Sequence, residues 1–343
     1  MSQGGAVRRE MIPICYFPST VLFIDDSRDF LLNFVLQLDE NLSYKIVDSP
    51  FDALDIMQFQ KGELEQLGNR CVSEYTEAEN DPLTNQTVNI DLSMIHDEVY
   101  NPQRFSEISV IVIDYAMPGM NGLEFCERIN SSRAKKILLT GQADEKIAIQ
   151  AFNDGLIDKY IKKSSPKVTE EITDAINELQ QVYFSDISDL ISKILEMHSP
   201  SCLKDKVFGG FFRQLIQQHN IVEYYLMDNS GSFLLIDQDA KVSSLTVKTE
   251  QDLKTHYDLA LDNGASSEVL SALKEGSKIP IYTAENHIWD DWSTYLLTAE
   301  QIIGKQTYYY ALSTEKVLFD VRYDKIRSYD SFLNEVDISE MLV

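Results

Sequence analysis

The chain has 343 residues, of which 44% are apolar and 25% are charged, and its net charge at pH 7 is −25. This length suits two or three domains, and the apolar share is sufficient for packed cores. No apolar stretch approaches the ~20 residues that a membrane helix needs. Acidic residues outnumber basic ones in both halves of the chain, which disfavours nucleic-acid binding because that activity depends on clustered basic side chains.

The cysteines and histidines point to an intracellular protein without a zinc site. The four cysteines are scattered without a CxxC pair, and the five histidines are equally dispersed. This pattern predicts neither a zinc centre nor a disulfide framework, and it fits a reducing compartment. Pro13 and Pro18 interrupt the first apolar run, so the opening residues make a poor signal peptide. We therefore expect a cytoplasmic protein with no membrane segment.

Short apolar strands alternate with amphipathic helices over residues 19–166. Helices are expected after Asp26, from Ser49-Pro50, over Gly122–Ile129 and over Glu145–Asn153. This alternation predicts an α/β fold, a doubly wound five-stranded parallel sheet of the flavodoxin type with both faces covered. The five predicted strands are Val21–Ile24, Tyr44–Val47, "SVIVID" (109–114), "KKILLTG" (135–141) and "DKYIKKS" (158–164).

An insertion of roughly 40 residues, about 61–107, interrupts this alternation between the second helix and the third strand. Connections in such folds usually have about 2–6 residues, so a segment of this length is not an ordinary loop. Its centre, "SEYTEAENDPLTNQT", is polar. Two interpretations are open: a decorative excursion from the fold, or a surface that binds a partner or a second copy of the chain.

A long helical segment, residues 167–198, follows the last predicted strand. Its apolar residues recur at heptad-like spacing, which predicts a continuous apolar seam. The first part could pack on the sheet as its final helix, or the segment could project as a signalling linker or a dimer contact. The seam consists of Val168, Ile172, Ala175, Leu179 and Val182, and it continues after a phase shift through Ile187, Leu190 and Ile194.

Residues 199–343 read as a second domain of the α+β class. Three short strands with turns at Asn229–Gly231 and Gln238–Ala240 are followed by a helix with the capping box Thr249-x-x-Asp252. A further helix and several strands complete the pattern, which predicts an antiparallel sheet. The organisation expected from the sequence is thus an N-terminal extension (1–18), a first domain (19–166), a helical linker (167–198) and an α+β output domain (199–343).

Polar side chains follow the predicted parallel strands where those strands end. Asp25 and Asp26 follow the first strand, Asp114 ends the third, Thr140 ends the fourth and Lys163 ends the fifth. Ligands bind at this edge of a parallel sheet. Three converging carboxylates repel each other unless a cation compensates, and Mg²⁺ favours carboxylate ligands. With an ammonium and a hydroxyl nearby, the constellation suits a carboxylate nucleophile that accepts a phosphoryl group.

These residues resemble the receiver domain of two-component response regulators. The resemblance rests on Asp25-Asp26, on Asp114 within "DYAMPGMNG", on Thr140-Gly141 and on "YIKK", and it covers about Ser19–Pro166 apart from the insertion. It implies a phosphorelay protein that a sensor histidine kinase or phosphotransfer protein phosphorylates. No enzyme activity is implied beyond phosphorylation and dephosphorylation of the receiver itself.

The resemblance also implies a role for each matching residue. Asp114 would be the phosphoacceptor, and Asp25 and Asp26 would hold Mg²⁺ together with Asp114 and the backbone carbonyl of Ala116. Thr140 would bond to the phosphoryl group and Lys163 would pair with it. Tyr160 would be the switch residue that follows Thr140 inward. The expected mechanism is a shift between two pre-existing states, which changes the surface offered to partners.

Two details depart from the family pattern. Ser164 stands where the family usually has a proline joined by a cis peptide bond, which puts the geometry of that loop in doubt. Lys162-Lys163 also leaves a choice of lysine. We favour Lys163 because it lies three residues after Tyr160, as in the family.

The output domain carries no motif that names its activity. One hypothesis is a regulatory interaction module without DNA binding, which forms a homodimer. The layout is similar to that of a quorum-sensing response regulator, which suggests that context. The alternative is a receiver-controlled enzyme with an unidentified small-molecule active site, although its candidate groups also suit surface and capping roles. A strand-turn-strand near Asp228 resembles PAS-type sensory domains, but a plain β-hairpin explains it equally well. The candidate acid/base groups are His256, Tyr257, Glu285, His287, Asp290 and Asp291.

Overall fold

The computed structural model describes residues 11–59, 72–74, 88–90, 93–141, 145–194, 200–281, 292–314 and 321–335. It divides into two compact units, which we name after their main sheets. The parallel-sheet unit comprises Phe17–Asn69, Pro102–Ile187 and Tyr329–Val343. The antiparallel-sheet unit comprises Met1–Tyr16, Arg70–Asn101 and Ser188–Ser328. None of the described helices is both long enough and apolar enough to cross a membrane.

The strands in the described part of the chain are numbered in chain order. They are β1 Cys15–Tyr16, β2 Thr20–Ile24, β3 Tyr44–Val47, β4 Val72–Glu74, β5 Val88–Ile90, β6 Ile108–Asp114, β7 Lys135–Thr140, β8 Lys159–Lys162, β9 Ile221–Leu226, β10 Phe233–Asp237, β11 Val242–Thr249, β12 Lys278–Pro280, β13 Leu296–Thr298, β14 Glu300–Ile303 and β15 Thr307–Ser313.

The α-helices are numbered in the same way. They are α1 Arg28–Val35, α2 Pro50–Phe59, α3 Ser93–His96, α4 Gly122–Arg128, α5 Glu145–Asn153, α6 Val168–Ile194, α7 Lys206–Gln218, α8 Glu250–Asp262, α9 Ser267–Glu275 and α10 Tyr329–Glu335.

The parallel-sheet unit contains a five-stranded sheet in the order β3-β2-β6-β7-β8 within the described residues, and every neighbouring pair is parallel. Strands β2, β6 and β7 are buried along their whole length, as expected for strands with helices on both faces. Helices α2, α4 and α5 contribute to the core on one face, and α1 and α6 to the core on the other. The predicted doubly wound fold is therefore confirmed.

Helix α6 packs on this sheet through the first part of the predicted seam. Ile172, Ala175 and Leu179 are buried in one cluster with strand residues such as Val21 and Ile137. The ammonium group of Lys135 lies 2.5 Å from a carboxylate oxygen of Asp186 on the same helix. These seam residues are consequently occupied within the parallel-sheet unit and are not available to a dimer seam.

Helix α10 closes the amino end of the same sheet. The Tyr329 hydroxyl donates to the carbonyl of Asn41 at 2.6 Å and accepts the N–H of Ser43 at 3.0 Å. The rings of Tyr329 and Phe332 lie 5.1 and 5.4 Å from that of Phe105, which is fully buried. Thr20 donates its hydroxyl to the Phe105 carbonyl at 2.7 Å, which joins this contact to β2. A segment that follows the strands of the antiparallel-sheet unit in sequence is thus part of the parallel-sheet unit.

The antiparallel-sheet unit is built on a six-stranded sheet in the order β1-β9-β10-β11-β15-β14 within the described residues. Helix α7 covers one face with aromatic side chains: Phe212 contacts Tyr224 and Phe233, and Phe208 contacts Tyr308. Helices α8 and α9 pack with the small sheet of β12 and β13. The predicted capping box between Thr249 and Asp252 is present at the start of α8. The predicted α+β class with an antiparallel sheet is confirmed.

The division into units differs from the organisation that we expected from the sequence. Cys15–Tyr16, placed in an N-terminal extension, forms a strand that pairs with Tyr224–Tyr225 of β9. Helix α3, placed in an insertion of the first domain, belongs with the antiparallel sheet, and α10, placed in the output domain, belongs with the parallel one. The division also falls inside α6, after Ile187. Local sequence pattern misses these assignments because each depends on partners far away in the chain.

Candidate functional site

The candidate site lies at the carboxyl end of the parallel sheet and begins with β2. Asp25 follows the last buried residue of this strand, and its amide N–H donates to the Val47 carbonyl of β3 at 3.2 Å. Its side chain is 1% exposed, and one carboxylate oxygen, Oδ1, accepts the N–H of Ser27 at 3.0 Å. Burial is the largest influence on this carboxyl group and raises its pKa. Asp26 is exposed beside it.

Strand β6 brings Asp114 to the same edge. All seven residues of the strand are buried, which fixes the backbone that carries this carboxylate. The turn that follows is tight: a Cβ at Gly122 would stand 2.4 Å from the Asp114 carbonyl oxygen. Asn121 caps helix α4 and forms a capping box with Glu124, so the loop between Asp114 and the helix is held at both ends. Ala116 lies exposed in that loop.

Lys163 joins the two buried aspartates. Its ammonium nitrogen, Nζ, lies 2.5 Å from Oδ2 of Asp25 and 2.9 Å from Oδ1 of Asp114. Burial by itself would lower the pKa of this lysine, but its bonds to the two carboxylates outweigh burial and the pKa is raised. The neighbouring Lys162 pairs instead with Glu145 of α5 at 3.0 Å. Of the two lysines, Lys163 is therefore the one in the pocket.

Thr140 and Tyr160 complete the set of residues predicted for the site. Thr140 ends β7, is fully buried, and directs its hydroxyl towards the Ile161 carbonyl at 3.5 Å. Its own carbonyl accepts the N–H of Lys163 at 3.0 Å. Tyr160 is half-buried on β8, and its ring lies 6.3 Å from that of Phe152 on α5.

The loop after Lys163 closes without the family proline. Ser164 is exposed, and the N–H of Ser165 donates to the Lys162 carbonyl at 3.0 Å. No cis peptide bond occurs among the described residues. The Lys163 side chain nevertheless reaches both carboxylates.

The carboxylate cluster fits a divalent cation. Asp25, Asp26 and Asp114 each offer an oxygen, and these oxygens lie within 4.8 Å of one another. Hard oxygen donors of this kind are the ligands that Mg²⁺ prefers. Asp114 as a carboxylate nucleophile, Asp25 and Asp26 as further metal ligands, and the Lys163 ammonium meet at one edge of the sheet. This set of groups can support transfer of a phosphoryl group to an aspartate.

One contact of the pocket was not anticipated from the sequence. The Lys163 ammonium lies 4.9 Å from the ring centroid of Phe30, over the aromatic ring. A phenylalanine in the first turn of an amphipathic helix reads as a core residue, so the sequence offers no signal for this contact.

The groups considered for a second active site are only partly described. His256 is 8% exposed; burial first, and then the nearby Lys248 ammonium, lowers its pKa to about 4. Tyr257 packs beside the core between α8 and α9. Glu285, His287, Asp290 and Asp291 lie outside the described residues. The Asp228 loop is a hairpin turn between β9 and β10, with three backbone N–H groups donating to one Asp228 oxygen.

Comparisons with known proteins agree with this architecture. The family model described as the response regulator receiver domain matches residues 80–177. The solved structure of the response regulator LqsR from Legionella pneumophila is 52% identical in sequence, and the match covers 96% of this chain and 97% of that one with a TM-score of 0.82. A comparison with curated proteins found no match.

Weaker likenesses to solved structures extend over about half of the chain. An adenylate cyclase from Rhodopirellula baltica is 19% identical, with 52% of this chain and 98% of that one covered at a TM-score of 0.33. A receiver domain protein from Clostridium thermocellum is also 19% identical, with 52% and 99% covered at a TM-score of 0.31. Likenesses at these scores carry no functional argument.

Proposed function

We propose a function from the premise that this chain belongs to the response regulators, the family of its near full-length relative LqsR and of the receiver domain that it contains. Asp114 accepts a phosphoryl group in a reaction that depends on Mg²⁺, and the modified receiver alters the activity of the output region. The observation that carries the proposal is the pairing of Lys163 with both buried carboxylates, Asp25 and Asp114.

The residues of the pocket suit distinct tasks in this transfer. An oxygen of Asp114 attacks phosphorus while the bond from phosphorus to the donor, a phosphohistidine nitrogen or the oxygen of a small acyl phosphate, breaks and leaves its electron pair on the donor. Asp25, Asp26, Asp114 and the Ala116 carbonyl would hold Mg²⁺. When bound, the ion would neutralise charge on the carboxylates and the phosphoryl oxygens. The Lys163 ammonium pairs with a phosphoryl oxygen of the product.

The response to phosphorylation follows from the added charge. The phosphoryl group brings a charge of about −2 and strong acceptor oxygens beside Thr140. The Thr140 hydroxyl would give up its long 3.5 Å hydrogen bond to the Ile161 carbonyl to reach them. We infer that this hydroxyl turns to the phosphoryl group and that Tyr160 follows it inward. The contact of Tyr160 with Phe152 supports this route, because Phe152 is 47% exposed on α5 and would shift with it.

The partners and context of the protein are part of the proposal. A sensor histidine kinase or phosphotransfer protein supplies the phosphoryl group in the cytoplasm. Phosphorylation promotes a homodimer, for which the exposed side chains of Ile149 and Phe152 offer an apolar surface. We place the protein in quorum sensing on similarity of layout alone. The output region acts by protein contact rather than by binding nucleic acid, consistent with the net charge of −25.

The phosphoacceptor assignment is tested by labelling the full chain with acetyl phosphate and Mg²⁺. We expect one phosphoryl group on the wild type and on Asp55→Asn, a control that changes an exposed aspartate of α2, and none on Asp114→Asn. The product should be an acyl phosphate, which is labile in alkali and cleaved by hydroxylamine. Labelling of Asp114→Asn at the wild-type level would disprove the assignment.

The proposed dimer is tested by light scattering with and without beryllofluoride and Mg²⁺. With beryllofluoride, we expect the mass of the wild type to double. The masses of Asp114→Asn and Phe152→Ala should remain those of the monomer. A wild-type mass that does not change with beryllofluoride would remove dimerisation from the proposal.

A further inference from the structure

The pocket contains a closed circuit of four contacts in which Phe30 is a member. Oδ1 of Asp25 accepts the N–H of Ser27 at 3.0 Å, and the Ser27 hydroxyl accepts the N–H of Phe30 at 3.3 Å. The Phe30 ring lies beneath the Lys163 ammonium at 4.9 Å, and that ammonium returns to Oδ2 of Asp25 at 2.5 Å. The conformation of each member therefore constrains the next.

The Phe30 ring is itself firmly held. Ser27 caps helix α1, which fixes the backbone of Phe30 in the first turn. The ring stacks on Phe34, with centroids 5.8 Å apart and planes inclined by 17°, and it packs against the core on the α1 and α6 side of the sheet. Phe34 is 4% exposed and anchors the stack.

Lys163 needs such a support more than the aspartates do. Asp25 follows one buried strand and Asp114 ends another, both with short side chains, whereas the lysine ammonium stands at the end of a flexible four-carbon chain. Its side chain is 26% exposed, so water competes for the ammonium. An aromatic face attracts a cation without offering a fixed acceptor atom. The ammonium can thus stay over the ring while it exchanges one carboxylate oxygen for another acceptor.

We propose that Phe30 is a positioning residue for Lys163, which holds the ammonium where it meets the phosphoryl group arriving on Asp114. This inference rests on the proposed function for its catalytic consequence, while the contact itself stands on the geometry. Loss of the ring slows phosphoryl transfer without removing a metal ligand. We expect the apparent affinity for Mg²⁺ not to fall when the ring is lost. Lys163 competes with the ion for the carboxylates of Asp25 and Asp114, so a less firmly held ammonium does not weaken metal binding.

The test compares three variants of the full chain. Phe30→Leu removes the ring and keeps an apolar side chain, and Phe30→Tyr restores a ring. Phe212→Leu is the matched control, because it removes a buried ring from helix α7, which belongs to the antiparallel-sheet unit, and it should leave the labelling rate unchanged. With acetyl phosphate, we expect Phe30→Leu to be labelled about two- to five-fold more slowly than wild type, from the usual strength of an exposed cation–π contact. Phe30→Tyr should return to the wild-type rate.

Two further measurements separate positioning from general damage. Mg²⁺ affinity by calorimetry should be as tight in Phe30→Leu as in wild type. In NMR spectra of the metal-free protein, the ε-methylene protons of Lys163 should be shifted upfield by the ring in wild type, Phe30→Tyr and Phe212→Leu. This shift should be lost in Phe30→Leu.

The outcomes distinguish this inference from the proposed function. A wild-type rate for Phe30→Leu, or weaker Mg²⁺ binding together with slow labelling, would overturn the positioning role. An unchanged Lys163 shift in Phe30→Leu would overturn the contact itself. If the wild type accepts no phosphoryl group, the proposed function and the catalytic consequence both fail, and the NMR shift still decides whether the ring holds the ammonium.

Discussion

Gly122 gives the sharpest test of how the fold positions the nucleophile. It is the first residue of α4, and a Cβ there would stand 2.4 Å from the Asp114 carbonyl oxygen and 2.9 Å from Cδ1 of Leu138. Ordinary contact begins at 3.4 Å, so Gly122→Ala must move the β6 end or the helix by about 1 Å. Overpacking of this kind costs about 1–3 kcal/mol, which corresponds to a fall in Tm of roughly 2–10 °C.

The same displacement should impair the chemistry, because a misplacement of about 1 Å can cost on the order of 100-fold in rate. We expect Gly122→Ala to be labelled by acetyl phosphate 10- to 100-fold more slowly, as followed on phosphate-affinity gels with Tm measured by circular dichroism. Gly210→Ala is the control: it lies in helix α7 with nothing within 4 Å of the new Cβ, and it should leave both quantities unchanged or raise Tm slightly. If Gly122→Ala has the same Tm and the same labelling rate as the wild type, this account of the turn is refuted.

Two other substitutions probe contacts away from the pocket. Tyr329→Phe leaves the buried N–H of Ser43 without its acceptor, so we expect the free energy of unfolding to fall by about 1–3 kcal/mol and amide exchange at Ser43 to become faster. The control, Tyr323→Phe, changes an exposed tyrosine and should alter neither quantity. Burial alone would raise the pKa of Asp205, but hydrogen bonds from backbone N–H groups, first that of Lys305, outweigh it, and the pKa is lowered. The ionised carboxylate therefore stabilises the fold above about pH 4, and this stabilisation is lost as the pH falls. The Tm deficit of Asp205→Asn should be full at pH 6 and shrink below about pH 4; a deficit independent of pH would contradict the charge argument.

The parallel sheet and its pocket could be predicted because their causes are local. Fully buried parallel strands leave continuous apolar runs in the sequence, and polar residues at their ends then meet at one edge of the sheet. Asp25, Asp114 and Lys163 are brought together in this way. The choice of Lys163 over Lys162 came from the resemblance to the receiver family, in which the lysine lies three residues after the switch residue, here Tyr160.

Other features escaped prediction because they depend on distant partners. The strand Cys15–Tyr16 has two residues, too few for a periodic pattern, and it exists only through pairing with β9 about 200 residues later. The run "STYLLTAEQII" reads as one strand, yet Leu296–Thr298 and Glu300–Ile303 belong to different sheets. Phe30 and Lys163 are in contact but lie far apart in the sequence, so no local spacing encodes this contact.

The place of helix α10 has a consequence for synthesis on the ribosome. The parallel-sheet unit lacks its closing helix until Tyr329 has been made, about 140 residues after Ile187. At about 5–20 residues per second, this interval is roughly 7–28 s. During that time Phe105 and the N–H of Ser43 lack their final partners. Most of the parallel-sheet unit is translated before Ser188, yet this unit is completed last. A ribosome that stalls between Ser188 and Ser328 therefore leaves both units unfinished.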